Sequence, residues 1–130
     1  MGGSRGIGHA VALGFAGRGA SVAACGRSQQ ALKVVEEELA AHGQPFYVAA
    51  CDVAETAAVE AFVTAAASAF GGLDVLVNCA SALTPGNDAG AWSASVNVDL
   101  LGSVRALDAA LPFRGGAAMH LSSTWPPLPL

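Results

Sequence analysis

At 130 residues the chain has room for one domain with one core, since single domains commonly run ~100 to 150 residues. Hydrophobic residues make up 53% and charged residues 12%, with a mean hydropathy of +0.49, which argues against disorder and for elements buried on two sides. A net charge of −4, a pI near 5.1 and a single lysine, Lys33, speak against a nucleic-acid partner, and with no apolar run of ~20 residues and no secretory signal the expected address is the cytosol, away from membranes.

An opening glycine cluster precedes a helix predicted over Ile7 to Arg18, with Ile7, Val11 and Phe15 on one side and Gly19 as its stop. Ser21 to Cys25 is too short for a helix and is bounded by Gly26, Arg27 and Ser28, which predicts a buried strand. Ser28 caps a second helix running to about Ala41. Its Leu32, Val35 and Leu39 recur at helical spacing, Lys33, Glu36, Glu37 and Glu38 form a solvated face, and Gly43 ends it.

Pro45 to Cys51 predicts another strand, and Glu55 to Phe70 a helix with Val59, Phe62, Val63, Ala66 and Phe70 in register, closed by Gly71 and Gly72. A strand at Val75 to Val77 leads into Asn78. A Pro/Gly/Asn loop follows, then a helix over roughly Trp92 to Leu111 and a last strand at Ala117 to Leu121. Helices alternating with uniformly apolar strands predict an α/β fold, a doubly wound parallel sheet with helices on both faces. In such a fold the ligand-binding residues follow the carboxyl ends of the strands.

The segment Gly2-Gly3-Ser4-Arg5-Gly6-Ile7-Gly8 stands directly before a helix. It reads either as a phosphate cradle, with backbone N–H groups and the helix N-terminus facing the anion, or as an ordinary glycine turn. His9, His42 and His120 show no metal spacing, so surface roles are expected for the first two and a core role for the third. Cys25, Cys51 and Cys79 fall near strand ends without paired spacing and are expected to be small, reduced side chains; no metal site is predicted.

With the residues at the strand ends added, the sequence resembles the short-chain dehydrogenase/reductase family over essentially its whole length. Gly2 to Gly8 match the family's Thr-Gly-x-x-x-Gly-x-Gly fingerprint, with Met1 in the place of the threonine. Asp52-Val53 match its Asp-Val after the third strand, and Asn78-Cys79-Ala80-Ser81 its Asn-Asn-Ala-Gly with two departures. Asn97 matches its helical asparagine, and Ser122-Ser123 the pair that ends its fifth strand.

The resemblance implies a Rossmann-like dinucleotide-binding domain over residues 1–124. Cofactor contacts are expected from Gly2, Ser4, Arg5, Gly6, Ile7, Gly8, Arg27, Asp52, Val53, Asn78 and Ala80, and catalytic roles from Ser123 and Asn97. The implied reaction moves a hydride between a nicotinamide dinucleotide and a small carbonyl or alcohol substrate, as in 3-oxoacyl thioester reductases. Ala24-Cys25-Gly26-Arg27-Ser28 offers no acid for the 2′-hydroxyl of NAD(H), whereas Arg27 and Arg5 suit a 2′-phosphate, which predicts NADP(H) as the preferred cofactor and NAD(H) as the second. The alternative for Arg27 is a solvated turn residue. Cys79 in place of an asparagine and Ser81 in place of a glycine weaken the expected nicotinamide-ribose contacts.

Two of the family's catalytic groups have no counterpart: the only tyrosine, Tyr47, lies in an early strand and no lysine follows Lys33. The chain alone is therefore expected not to turn over substrate. The family's first strand would precede Met1 and lie between the strands at Ser21 and Val75, so its loss predicts two unpaired edges and marginal stability. The family's C-terminal strands are likewise missing, and with them parts that often form the homo-oligomer interface of the longer form. Trp125 to Leu130 reads as a proline-rich tail from a frame change or an early stop. The alternative function is a non-catalytic NADP(H)-binding or interaction domain.

Overall fold

The computed structural model describes residues 1–113 and, as backbone alone, Ala118–His120. Ser122, Ser123, the proline-rich tail and the side chain of His120 lie outside the described residues.

The first helix, α1 (Gly6–Ala16), buries Gly8, Ala12 and Ala16. Ile7, expected on the packed side, is instead 57% exposed. Only small side chains fit where α1 lies against β1 (Val22–Gly26), so the packed stripe is the small-residue one, and Ala16 joins a core with Ala24, Val35 and Leu39. In α2 (Gln29–Ala41) the predicted stripe of Leu32, Val35 and Leu39 is buried, and the Ser28 hydroxyl accepts the N–H of Ala31 at 3.3 Å, the expected cap. Its acidic face is not wholly solvated, because Glu38 pairs with the His9 ring on α1.

β2 (Phe46–Ala50) runs parallel to β1, with Val22 opposite Phe46 and Gly26 opposite Ala50. α3 (Thr56–Phe70) buries Val59, Phe62, Val63, Ala66 and Ala67 against a second core that includes Cys25, Cys51, Val53 and Ala106. β3 (Leu76–Asn78) follows and pairs in parallel with β4 (Ala118–His120). Between them the predicted single helix is broken into pieces. α4 (Ala89–Ser95) begins three residues before Trp92 because Asp88 caps it, a wider π-helical turn occupies Val96–Leu101, and α5 (Gly102–Ala110) ends in a 3₁₀ turn at Leu111–Phe113.

Alternating helices and parallel strands make this the α/β, Rossmann-like fold expected, with one difference: the described strands form two pairs, β1–β2 and β3–β4. The chain start bridges them. The Met1 ammonium donates to the Val77 carbonyl (2.7 Å), Cys79 N–H donates to the Met1 carbonyl (3.0 Å), and Gly3 N–H donates to the Cys25 carbonyl (2.8 Å). Met1 to Gly3 thus act as the end of a central strand, and the groups at the carboxyl ends of β1 and β3 are paired there.

Candidate functional site

The glycine segment closes over the end of β3. Gly2 has φ +70°, and a Cβ there would lie 2.7 Å from the nitrogen of Ala80. A Cβ on Gly8 would collide with the carbonyl oxygen of Gly2 and sit 3.2 Å from Cys79 Cβ. Both positions therefore require glycine for close approach of backbone to backbone. Gly6 differs, since a Cβ there would meet nothing within 4 Å. No side chain caps α1, so the N–H groups of its first turn point outward beside Gly6, where an anion can reach them.

Ser4 sits against the end of β1, where a Cβ on Gly26 would come within 2.5 Å of its Oγ. This contact brings two consecutive pairs, Ser4-Arg5 and Gly26-Arg27, side by side. Arg5 and Arg27 are both exposed, and neither forms an ion pair among the described residues. Arg5 and Arg27 each follow directly on one member of this contact. Ile7 lies on the same outward turn as Gly6.

At the end of β2, Asp52 is half-buried and its Oδ1 accepts the N–H of Ala54 at 3.0 Å, a local turn that leaves Oδ2 available. Val53 is buried against Gly102, where a Cβ would meet its Cγ2 at 3.0 Å. At the end of β3, Asn78 is 4% exposed; its Nδ2 donates to Ser103 Oγ at 2.7 Å and its Oδ1 accepts the N–H of Ala80 at 3.4 Å. Ser103 Oγ donates in turn to the Asp99 carbonyl at 2.7 Å. Asn78 therefore fastens β3 to α5 and shapes the turn at Ala80, and its amide is engaged inward.

Asn97 lies in the π-helical turn, and Arg105 holds it. One guanidinium nitrogen donates to Asn97 Oδ1 (2.8 Å) and another to its backbone carbonyl (2.9 Å). Arg105 also reaches the carbonyl of Val53 and the hydroxyl of Thr56. The sequence reading missed Arg105. Its available signal was an arginine eight residues after Asn97, about two turns away, but a regular helix gives no reason for the side chain to fold back through two turns. A π turn, often found at functional positions, exposes carbonyls that such an arginine can take.

Three other groups border this region. Cys25 and Cys51 are buried side by side and Cys79 is half-buried. A hydrogen bond from Cys51 lowers the Cys25 thiol to about 7, against the upward push of burial, and the nearby Met1 ammonium acts in the same downward direction; Cys51 is correspondingly raised. The two share a proton, so the first ionisation comes early and the second late. His9 faces Glu38, a structural tie between α1 and α2. Among the described residues no three metal-ligating side chains cluster, and no helix is long and apolar enough to cross a membrane. Ser123 lies outside the described residues, so its position relative to Asn97 is not part of this geometry.

Comparison with known proteins bears on the whole arrangement. The family described as short chain dehydrogenase matches residues 1–124. A short chain dehydrogenase of Pseudocercospora fijiensis is 33% identical over 138 residues, covering 96% of this chain and 45% of its own length. A 3-oxoacyl-[acyl-carrier-protein] reductase of Staphylococcus aureus is 34% identical over 132 residues, covering 94% and 53%. The crystal structure of a short chain dehydrogenase from Burkholderia cenocepacia in complex with NADP superposes with a TM-score of 0.87 at 34% identity, covering 92% of this chain and 51% of that one. The chain spans about half the length of the curated relatives it matches.

Proposed function

Because the chain belongs to the short-chain dehydrogenase family, we propose that it is the NADP(H)-binding half of an oxidoreductase that reduces a carbonyl of 3-oxoacyl type or oxidises the corresponding alcohol. The observation that carries this reading is the uncapped first turn of α1, framed by a glycine loop that admits no Cβ at Gly2 or Gly8, with the exposed Arg5 and Arg27 following the Ser4–Gly26 contact in the chain. The similarity to a structure described as complexed with NADP and to a 3-oxoacyl reductase supports it.

In this reading the first-turn N–H groups, with Ser4, Gly6 and Ile7, take the diphosphate, and Arg5 and Arg27 take the 2′-phosphate. Asp52 uses its remaining oxygen on the adenine amine, and Val53 walls the ring. Asn78 and Ala80 keep the end of β3 in place beside the nicotinamide ribose. When bound, the nicotinamide supplies or accepts the hydride. Asn97, fixed by Arg105, positions a proton-relay water, and Ser123 orients the substrate oxygen. A tyrosine and a lysine from further chain complete the proton transfer, since Tyr47 is stacked on Phe62 with ring centroids 5.5 Å apart and Lys33 lies exposed on α2. Such an enzyme works in the cytosol. Its longer form is a homo-oligomer, in which a second copy covers the exposed stripe of Trp92, Val96, Leu100, Val104, Leu107 and Leu111.

Thermal-shift titration of the purified chain with NADPH and NADH tests the reading: stabilisation by both, stronger with NADPH, is expected. A folded chain whose melting is unmoved by saturating NADPH would sink it. The placement of Tyr47 and Lys33 away from the site also favours a second reading, a binding domain without chemistry. NADPH oxidation that depends on an added 3-oxoacyl thioester, measured on the longest natural form, separates the two.

A further inference from the structure

Two thiols meet where β1 and β2 end. Cys25 lies opposite Ala49 in the parallel register and Cys51 stands two residues beyond Ala49, so both side chains leave the same face of the strand pair. The Cys51 N–H donates to the Gly26 carbonyl at 3.0 Å, which holds this diagonal in place. Both cysteines are buried and hydrogen-bonded to one another, in a core with Val53, Val59, Phe62, Val63 and Ala106. Cys25 Sγ also donates to Met1 Sδ at 3.2 Å. Three sulfurs are thus gathered inside apolar surroundings, and among the described residues no further His, Cys, Asp or Glu makes a cluster of three with the two thiols.

We propose that Cys25 and Cys51 bind one Cu(I) ion as a two-thiolate site, with the Met1 thioether as a weaker third neighbour. Spacing favours an ion over a disulfide. With ~3.3 Å per residue along a strand and ~4.8 Å between strands, the diagonal puts the two Cα atoms about 8 Å apart, beyond the ~7 Å that a disulfide spans without backbone movement. An ion between the sulfurs lengthens the link by one atom and needs no such movement. Ligand number and softness select the metal: thiolate and thioether suit Cu(I), whereas Zn²⁺ takes four ligands that this core does not offer. The Cys25 thiol, lowered to about 7 by its bond with Cys51, supplies the first thiolate near neutral pH, and the pair then shares one proton. Cu(I) takes that proton's place. The S–H bond breaks, two S–Cu bonds form, one proton leaves, and the net charge in the core stays the same. Cys51 stands one residue past the end of β2 and keeps 4% of its surface exposed, which gives the ion its entry.

The test uses the reduced 130-residue chain under nitrogen, with Cu(I) supplied as its violet bicinchoninate complex. Loss of the violet absorbance, levelling off at one Cu(I) per chain, is expected. Cys25→Ala and Cys51→Ala should each weaken this withdrawal by about a hundredfold or more, since each leaves a single thiolate. Cys79→Ser should match the parent. Because alanine in the core can unsettle the fold, the unaltered chain carries a measurement of its own: X-ray absorption at the copper edge, which should show sulfur neighbours alone. No withdrawal by the parent, oxygen or nitrogen neighbours at the copper, or a loss in Cys79→Ser as large as in the other two variants would overturn the proposal. No nucleotide is present, so a failure here is distinct from a failure of NADPH binding.

Discussion

Arg105 closes on Asn97 from eight residues further along the chain, taking both its side-chain oxygen and its backbone carbonyl within 2.9 Å. The same guanidinium reaches Val53 and Thr56, so one side chain ties the π turn, the end of β2 and the start of α3. Arg105→Ala is expected to destabilise the chain by about 1–3 kcal/mol, because carbonyls are left without donors. Arg105→Lys should recover little, since an ammonium cannot span acceptors arranged for a planar fork. Urea denaturation of the three proteins checks this; full recovery by lysine would contradict it.

Gly8→Ala puts a methyl into the carbonyl of Gly2. The loop must shift, and with it the first-turn N–H groups. A loss of NADPH-induced stabilisation of tenfold or more in apparent affinity is expected. Ala at Gly6, where the space is open, should cost less in contacts and more in backbone strain from its φ of +59°. Isothermal titration of the two variants reads the difference.

Arg27→Ala should weaken NADPH by about tenfold and leave NADH nearly unchanged, at the lower end of a charged hydrogen bond because the residue is exposed. Equal losses for the two nucleotides would remove Arg27 from the 2′-phosphate.

Much of this was legible in the sequence. The Leu32, Val35 and Leu39 stripe and the Ser28 cap came through because a helix states its packed face and its start locally. The stripe of α1 was misread because periodicity ranks residues by hydrophobicity, whereas contact with β1 selects for smallness at Gly8, Ala12 and Ala16. His9 with Glu38 and Arg105 with Asn97 escaped for different reasons. The first pair is joined by tertiary packing across 29 positions, the second by a π turn that leaves no mark in composition. The strand-end residues Asp52, Val53, Asn78 and Ala80 were singled out because strand ends are where this fold puts its ligand.

Leu39→Ala should cost about 2–5 kcal/mol, as its side chain is almost fully buried beside Val35. Ser28→Ala should cost about 1 kcal/mol through loss of the cap on Ala31. Thermal melts of both variants, with the larger drop for Leu39→Ala, are the check.

The Cys25 thiol, lowered to about 7 by its bond with Cys51, should be ionised at about pH 8, giving thiolate absorbance in the folded chain. Cys51→Ala removes that bond and leaves burial to push Cys25 up, so the absorbance at this pH should vanish. A depressed thiol pKa stabilises the fold above the unfolded value near 9 and this contribution is lost as pH falls through about 7; the raised Cys51 acts oppositely as pH rises past the unfolded value. The parent should therefore gain stability between pH 6 and pH 8 from this thiol, and the variant should lack that gain.

The π turn at Val96–Leu101 has a genetic consequence. Dropping one codon there, such as that of the exposed Leu100, would let the segment rewind as ordinary α-helix. With α5 anchored by Ser103, Ala106 and Ala110, everything upstream would rotate by about 100° and advance by about 1.5 Å. Asn97 would swing out of reach of Arg105, while composition and hydropathy stayed almost the same. In-frame deletions are therefore more damaging in this six-residue stretch than most substitutions at its exposed positions.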